Sequence, residues 1–325
     1  MKKIDLITGI LGSGKTTFLL KYADYLLRQG LRIAVLENDY GAVNTDMAYL
    51  RELPADRCII TSIVGGGDPD CHRRRFKTQL ISLGMQQVDR VIVEPSGIFD
   101  MDEFFDTLYE SPIDKWIEIG SILTVADAQS EALLPTQMEY LLGSEAACCG
   151  KVVVSKLGKV EESAESVTQR ILAHINRALL GIQCDRQLHE AEIFAKDWDA
   201  LADADFAMLA KAGYRGANYV KLFSADMIHS EVHYFMRLAI DPVLIEQTVR
   251  AIFADPACGR LYRIKGSLPN GRGSWLRLNA VNGEVQLTPA ALGQPVLIAI
   301  GDDLDKAAID RHFLAVNTAP DYLSL

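Results

Sequence analysis

The chain has 325 residues, and its 33 lysines and arginines against 43 aspartates and glutamates give a formal net charge of −10. This length predicts two domains with a large core. A composition of 49% hydrophobic and 23% charged residues excludes disorder as the main state. The acidic balance argues against general attraction to phosphate backbones or anionic lipids, so we expect neither a nucleic-acid nor a membrane partner.

The first residues do not read as a secretory signal. Two lysines precede a short apolar run that contains Asp5, and no small-residue cleavage site follows. Nowhere do about 18 apolar residues run together without a charge, so no segment is expected to span a bilayer. We therefore expect a cytoplasmic protein, whose six sparse cysteines stay reduced.

Short β-branched runs alternate with segments of helical periodicity through the first two thirds of the chain. Buried parallel strands have this continuous apolar character because helices cover both faces of their sheet. The pattern predicts an α/β domain at residues 1–215, with a doubly wound and mostly parallel sheet. The predicted strands are residues 4–8, 32–37, 58–64, 88–94, 121–127, 151–155 and 192–195. The predicted helices are residues 16–29, 73–83, 128–142 and 160–180.

The pattern changes after about residue 215, within the stretch 212–218, which has the composition of a linker. Strand-like runs follow, and the dipeptide Asn282-Gly283 between two of them is a strong signal for a two-residue hairpin turn. We predict a smaller α+β domain with an antiparallel sheet at residues 218–325. Its predicted strands are residues 219–223, 232–240, 259–265, 274–281, 284–287 and 295–300, and its predicted helix is residues 304–313.

A phosphate-binding motif joins the first predicted strand to the first predicted helix. Residues 9–17 read Gly-Ile-Leu-Gly-Ser-Gly-Lys-Thr-Thr, which satisfies G-x-x-x-x-G-K-[ST] in the required context. The glycines let backbone N–H groups converge on the β-phosphate, Lys15 reaches the β- and γ-phosphates, and Thr16 offers its hydroxyl to Mg²⁺. The predicted nucleotide-binding residues of this loop are Gly12, Ser13, Gly14, Lys15, Thr16 and Thr17.

Two neighbouring strand ends supply acidic residues at the edge of the sheet where open α/β folds bind ligands. The fourth predicted strand ends at Glu94, which would hold Mg²⁺ through water, and the N–H of Gly97 would meet the γ-phosphate. Asp39 follows the second strand and would coordinate Mg²⁺ or orient the attacking water. The predicted catalytic residues are Lys15, Asp39 and Glu94, and the predicted Mg²⁺ ligands are Thr16, Asp39 and Glu94.

These motifs and the two-domain layout together resemble the CobW-like family of P-loop GTPases, in the SIMIBI class. The resemblance rests on the phosphate loop, on Glu-Asn-Asp-Tyr-Gly at 37–41, on Val-Ile-Val-Glu-Pro-Ser-Gly at 91–97, and on 261–266 and 295–305 in the second domain. It covers nearly the whole chain. Relatives of this family are metallochaperones for hydrogenase and urease maturation, which implies a nucleotide-driven switch acting on a client protein.

The loop after the third predicted strand departs from the family pattern. The family carries Cys-x-Cys-Cys there and binds zinc or cobalt, whereas residues 68–72 of this chain read Asp-Pro-Asp-Cys-His. Carboxylates favour harder ions than thiolates do. A mixed set would still bind a divalent transition ion; the alternative is a nucleotide-responsive loop that has lost its metal or meets a protein partner. The candidate ligands are Glu37, Asp68, Asp70, Cys71 and His72.

The loop after the sixth predicted strand also departs. Family GTPases read guanine with Asn-Lys-x-Asp, whose aspartate accepts hydrogen bonds from the base, whereas this chain has Ser155, Lys156, Leu157 and Gly158. Lys156 remains available to the base, but Gly158 has no carboxylate. The unpaired guanine donors would cost about 1–3 kcal/mol. GTP and GDP are therefore implied by the resemblance, and ATP is an open alternative.

We accordingly predict a Mg²⁺-dependent nucleoside triphosphatase, with GTP favoured over ATP and with slow turnover in the absence of a partner. It would act as a switch in maturation, metal delivery or activation of a metallo- or cofactor-dependent client protein. The alternative is a nucleotide-gated binding scaffold with negligible turnover. A homodimer is compatible with the sequence.

Overall fold

The computed structural model describes residues 1–39, 50, 53–64, 69–95, 101–130, 134–223, 231–271, 273–281, 283–291 and 293–324, with the backbone alone at 39, 64, 69 and 70. The described chain forms two compact units, one ending at Phe223 and one beginning at Glu231. None of the helices in these ranges is long and apolar enough to cross a membrane.

The first unit contains a seven-stranded sheet in which every neighbouring pair is parallel, in the order β3-β2-β4-β1-β5-β6-β7. Its strands are buried, as the continuous apolar runs predict; all six residues of β4 are buried. The predicted doubly wound, mostly parallel α/β domain is confirmed. The strands are β1 Lys2–Thr8, β2 Ile33–Asp39, β3 Cys58–Val64, β4 Arg90–Pro95, β5 Ile117–Asp127, β6 Lys151–Ser155 and β7 Ile193–Phe194.

Helices connect these strands. They are α1 Lys15–Arg28, α2 Pro69–Met85, α3 Met101–Tyr109, α4 Thr136–Ala147, α5 Ala164–Gly181 and α6 Asp203–Leu209. The prediction of a helix at 128–142 was wrong about its start, because Pro135 disfavours helical backbone in the residue before it, and α4 begins only after that proline. The predicted helix 160–180 begins later, at Ala164, because the Ser163 hydroxyl caps it by accepting from the Ser166 N–H.

A buried ion pair lies at the start of the central strands. Asp5 in β1 is fully buried, and its carboxylate accepts from the Arg90 guanidinium of β4 (Nη2–Oδ1 2.9 Å) and from the Tyr22 hydroxyl of α1 at 2.7 Å. A bulge in β5 turns the Ser121 N–H toward the same oxygen, at 2.8 Å. A Cβ on Gly120 would lie 2.3 Å from Oδ1, so the bulge requires glycine there. One carboxylate therefore joins β1, β4, β5 and α1.

The second unit contains a six-stranded sheet in the order β11-β10-β9-β12-β8-β13, and all its pairs are antiparallel. The predicted α+β architecture is confirmed, and Val281 pairs with Glu284 across the predicted hairpin turn. The helix that follows the first strand of this unit was not predicted from the sequence. The elements are β8 Glu231–Met236, α7 Pro242–Ala254, β9 Arg260–Pro269, β10 Trp275–Val281, β11 Glu284–Ala290, β12 Val296–Asp302, α8 Lys306–Leu314 and β13 Leu323–Ser324.

The segment 219–223, predicted as a strand, has no strand structure. Tyr219 and Phe223 pack on the core of the first unit instead, with the Phe223 and Tyr140 rings 5.3 Å apart. The Val220 N–H donates to the Ile182 carbonyl at 2.8 Å, and Asn218 bonds to Asp185. The sequence assigns residues 218–325 to the second domain, whereas 218–223 lie with the first unit in the structure.

We expect Asp5→Ala to lower the free energy of unfolding by about 3–5 kcal/mol, because Arg90 would stay buried without its counter-charge. Urea denaturation followed by circular dichroism measures the loss. As a control, Asp24→Ala removes the exposed partner of Arg28 on α1 and should cost less than about 1 kcal/mol. Equal losses in the two variants would contradict the central role of the buried pair.

Candidate functional site

The phosphate loop lies between the end of β1 and the start of α1, in the order the motif predicts. Gly9, Gly12 and Gly14 all have positive φ, at 140°, 81° and 103°. A Cβ at Gly9 would lie 2.4 Å from the Val125 carbonyl oxygen, so no larger residue fits there. The loop is therefore shaped by backbone that only glycine adopts easily, and its N–H groups lead into the N-terminus of α1.

Lys15 is the first residue of α1, and its side chain is buried with only 8% exposure. Its ammonium donates to the loop's own carbonyls, to Gly9 at 2.5 Å and to Ile10 at 3.4 Å. The ammonium thus lies over the cradle that the loop forms. A phosphate in that cradle would compete with these two carbonyls for the same donor.

Thr16 connects the phosphate loop to the edge of the sheet. Its hydroxyl donates to Glu94 Oε1 at 2.7 Å, and Glu94 is buried in β4. Glu37 on β2 lies opposite Glu94 in the parallel register and is also buried, so the two carboxylates share one face of the sheet. Adjacent buried carboxylates repel each other unless a cation or a proton neutralises one. This donor set of two carboxylates and a hydroxyl suits a hard cation such as Mg²⁺.

Some buried polar side chains in this region have no hydrogen-bond partner among the described residues, and two of them lie on the phosphate loop and on β2. They are the Ser13 hydroxyl in the phosphate loop and the Asn38 amide next to the end of β2, which is fully buried. Buried polar groups are almost always satisfied in folded proteins, so unpaired ones at a candidate site are consistent with completion by a ligand or water.

The other predicted residues of the nucleotide edge are only partly described. Asp39 is the last residue of β2, and its backbone pairs with Val64 at the end of β3. Thr17 follows Thr16 in the first turn of α1. Gly97, Asp68 and the side chains of Asp39 and Asp70 lie outside the described residues.

The segment predicted as a metal-binding loop is helical from its second residue. α2 begins at Pro69, and proline is favoured in the first turn of a helix. Asp70, Cys71 and His72 are therefore helical residues. Successive helical residues point about 100° apart, and neighbours in sequence do not face each other. His72 is buried while Cys71 is half-buried. The side chains of Cys71 and His72 therefore leave the helix in different directions.

The predicted base-binding residues follow β6. Ser155 ends that strand, and its hydroxyl donates to the Ala126 carbonyl at 3.3 Å. Lys156 has a positive φ of 54°, which is unusual for a residue other than glycine, and its ammonium pairs with the Asp127 carboxylate at the end of β5. A non-glycine residue held in this conformation is more frequent at functional sites than elsewhere.

Asp197 fills the space where Gly158 lacks a side chain. A Cβ at position 158 would lie 2.7 Å from Asp197 Oδ2, and nothing else comes within 3.5 Å of it. The other carboxylate oxygen of Asp197 accepts from the Asp199 N–H at 2.8 Å, which fixes its direction. The carboxylate missing from the sequence motif is therefore present in space, contributed by a different segment.

Trp198 lies against the phosphate loop. Its ring is 3.3 Å from the position that a Cβ on Gly14 would take, and its centroid is 5.5 Å from that of Phe18 on α1. Asp127, Asp197 and Trp198 were not predicted from the sequence. Asp127 could have been found as an acidic strand end, whereas the other two follow a two-residue strand and carry no motif.

Glu145 was also missed, because it stands inside the apolar helix α4. It is fully buried, and burial raises its pKa to about 8, while the Lys15 ammonium and the Gly9 N–H oppose that rise. An uncharged carboxyl group thus lies close to the phosphate loop at neutral pH. A nearby anion would repel a charged glutamate, whereas a protonated glutamate carries no charge to be repelled.

Comparison with known proteins identifies relatives. Zinc chaperone YeiR of Escherichia coli (strain K12) is 28% identical over 174 residues, covering 52% of this chain and 51% of that protein. Zinc chaperone YjiA of the same organism is 28% identical over 186 residues, covering 53% and 54%. The matches thus span about half the length of these two curated relatives.

Solved structures resemble the chain at low sequence identity. The Zn(II)-bound YjiA GTPase from E. coli aligns with 97% of this chain and 98% of its own, at 16% identity and a TM-score of 0.39. Hydrogenase maturation factor HypB from Archaeoglobus fulgidus aligns with 61% and 82%, at 15% identity and a TM-score of 0.37.

The family model for the nucleotide-binding domain of CobW, HypB and UreG matches residues 3–182. This stretch contains the phosphate loop, the Thr16–Glu94 contact and the Lys156 loop, and it covers more than half of the chain. The resemblance predicted from the motifs is confirmed, and the chain belongs to the CobW/HypB/UreG family of nucleotide-binding domains.

Proposed function

We propose that the chain is a Mg²⁺-dependent GTPase that acts as a switch in delivering metal to, or activating, a metallo- or cofactor-dependent client. The observation that carries this proposal is the hydrogen bond between the Thr16 hydroxyl and the buried Glu94 carboxylate, which joins the phosphate loop to the edge of the sheet. Zinc is the natural first choice of cargo, because the two curated relatives are named zinc chaperones.

In the proposed mechanism the protein positions the triphosphate and stabilises developing charge. The loop N–H groups from Gly12 to Thr17 hold the phosphates, and Lys15 moves from the Gly9 and Ile10 carbonyls to the β- and γ-phosphates. Thr16, Glu94 and Asp39 hold Mg²⁺, which neutralises phosphate charge when bound. Asp39 or Glu94 orients the attacking water, directly or through another water.

The proposed switch uses the ends of the strands beside the γ-phosphate. Gly97 follows β4 and would donate its N–H to the γ-phosphate, and release of that phosphate would free the segment. Residues 68–72 follow β3 in the same part of the sheet, where β2 and β3 end side by side. We propose that this segment reports the nucleotide state to the client protein.

Asp197 supports GTP over ATP. Its carboxylate occupies the side-chain space of Gly158, where family GTPases carry the aspartate that accepts from guanine. Guanine presents two donors, N1–H and the exocyclic amine, to such a carboxylate, whereas adenine presents an acceptor at N1. We propose that Asp197 reads guanine from the neighbouring loop, while Lys156 lies over the base.

Glu94→Gln tests the observation that carries the proposal. Glutamine can still accept the Thr16 hydroxyl bond but brings no negative charge, so the fold should persist while the Mg²⁺ dependence of GTP binding is lost. We expect single-turnover hydrolysis to fall by at least about 100-fold. Glu118→Gln changes an exposed carboxylate of β5 and should leave both unchanged. Retention of Mg²⁺-dependent turnover in Glu94→Gln would exclude the proposed site.

Asp197→Asn tests the reading of the base. The amide oxygen can keep the bond from the Asp199 N–H, but the NH₂ group faces the guanine donors. Calorimetry should show GTP binding weakened by about 10- to 100-fold and ATP binding unchanged. Xanthosine triphosphate should bind more tightly than to the parent protein, because its C2 carbonyl accepts from the amide.

Asp199→Asn is the matched control, since Asp199 lies two residues away with a side chain exposed to 95%. It should bind all three nucleotides as the parent protein does. A parent protein that binds ATP and GTP equally, or an Asp197→Asn variant with unchanged GTP affinity, would remove the role proposed for Asp197.

Glu145→Gln tests the buried carboxyl group near the loop. The pKa of about 8 implies that Glu145 loses its proton as the pH rises through 8, which places a negative charge near the bound phosphates. We expect GTP affinity of the parent protein to decrease above pH 8 and that of Glu145→Gln to decrease less. At pH 6 both should bind GTP alike, because glutamine resembles the protonated acid. Parallel pH profiles would show that Glu145 does not titrate in this range.

A further inference from the structure

A second set of metal-ligating side chains lies in the second unit, outside the nucleotide-binding domain. Ligand atoms of Asp255, Cys258 and His312 all lie within 4.8 Å of one another. Among the side chains that the structure describes, no other three from histidine, cysteine, aspartate and glutamate meet in this way. The sequence gives no signal for this set, because 54 positions separate Cys258 from His312.

The backbone brings two of the donors together within one short turn. Residues Pro256–Cys258 form a 3₁₀ turn that begins at Asp255, whose Oδ1 accepts from the Ala257 N–H at 2.9 Å. Residues three apart stand one above the other in 3₁₀ geometry, so Asp255 and Cys258 share a side of the turn. The capping bond uses one carboxylate oxygen and leaves Oδ2 directed elsewhere.

The third donor comes from the last turn of α8. His312 Nε2 lies 2.8 Å from Asp255 Oδ2. The loop before α8 is packed tightly against the turn, because a Cβ at Gly259 would lie 2.1 Å from the Asp303 carbonyl oxygen. The Asp305 N–H also donates to the Cys258 carbonyl at 3.3 Å. The turn and the start of α8 are thus held together independently of the His312 side chain.

We propose that Asp255, Cys258 and His312 bind one divalent transition ion of the Zn²⁺ type. Bonds of about 2.0–2.3 Å place tetrahedral ligand atoms roughly 3.3–3.8 Å apart. The His312–Asp255 separation of 2.8 Å is slightly shorter than that range and the other separations do not exceed 4.8 Å, so small side-chain rotations suffice.

The donor chemistry selects the class of ion. One carboxylate oxygen, one sulfur and one imidazole nitrogen form a mixed set suited to borderline ions and poorly suited to Mg²⁺ or Ca²⁺. A thiolate and a carboxylate together neutralise a dication. Three protein ligands leave a fourth position open to water, which distinguishes the set from structural zinc sites with four protein ligands.

The cluster is reached from the Asp255 and His312 side. Their side chains are 33% and 27% exposed, whereas Cys258 is covered. A cysteine thiol is ordinarily protonated at neutral pH.

Binding must accordingly displace a proton. The ion takes the place of the hydrogen on Cys258 Sγ, and the proton leaves to solvent, so one S–H bond breaks as one metal–sulfur bond forms. The Asp255–His312 hydrogen bond would also open, and the hydrogen on His312 Nε2 would leave to solvent, with Nδ1 keeping or taking up one, so that Nε2 can bind the ion.

Titration of the full-length, metal-free protein with Co²⁺ in the absence of nucleotide tests the proposal. Cobalt bound by a thiolate gives a charge-transfer absorption band, and Zn²⁺ should abolish it by competition. Cys258→Ser and His312→Gln should each weaken the binding of one ion by more than about tenfold, since losing even an outer-shell partner costs 10- to 100-fold. Cys184→Ser, at a half-exposed cysteine in the first unit, should leave the titration unchanged.

A parallel Cys71→Ser variant separates this site from the segment 68–72. If the band disappears only in Cys71→Ser, the ion binds at that segment and the proposal is wrong. Unchanged stoichiometry and affinity in both Cys258→Ser and His312→Gln would likewise overturn it. Circular dichroism and GTP binding of each variant show whether the fold and the proposed nucleotide site are intact, so failure of either proposal can be recognised separately.

Discussion

The buried ion pair between Asp5 and Arg90 is the constraint on which the nucleotide-binding unit depends. A charge without a partner in this core would cost several kcal/mol, so β1, β4, the bulge of β5 and the first helix must meet with their polar groups aligned. β1 runs from this pair to the phosphate loop, and β4 runs from Arg90 to Glu94. Fixing the start of the two strands also fixes their ends.

At those ends the same strands place complementary chemistry. The loop supplies a concave set of N–H groups and an ammonium, and the sheet edge supplies adjacent buried carboxylates. The Thr16 hydroxyl joins the two. Burying the positive phosphate loop or the negative sheet edge alone would be unfavourable. Together they would suit the proposed magnesium-bound triphosphate, in which a cation lies next to negative phosphates. In the second unit, Cys258 and His312 offer sulfur and imidazole nitrogen, which are softer metal ligands than the carboxylates of the first unit.

Local pattern predicted where the strands of the first unit lie along the chain, since buried parallel strands are apolar throughout and their periodicity differs from that of helices. The local pattern also predicted the phosphate loop, because the spacing of its glycines specifies the backbone conformation of the loop. The local pattern wrongly predicted a strand at 219–223, where the apolar run packs without pairing to another strand. The alternation of apolar and polar residues indicates which side chains are buried, but it does not show which surface covers them.

The sequence by itself determined the fold class, the phosphate loop and the family, because each depends on residues adjacent along the chain whose geometry is local. Tertiary structure alone decided where Asp197 places its carboxylate and that Asp255, Cys258 and His312 meet. These depend on contacts between segments distant in sequence. Only the positions of the atoms in space show that the Asp197 carboxylate lies where a side chain at Gly158 would be.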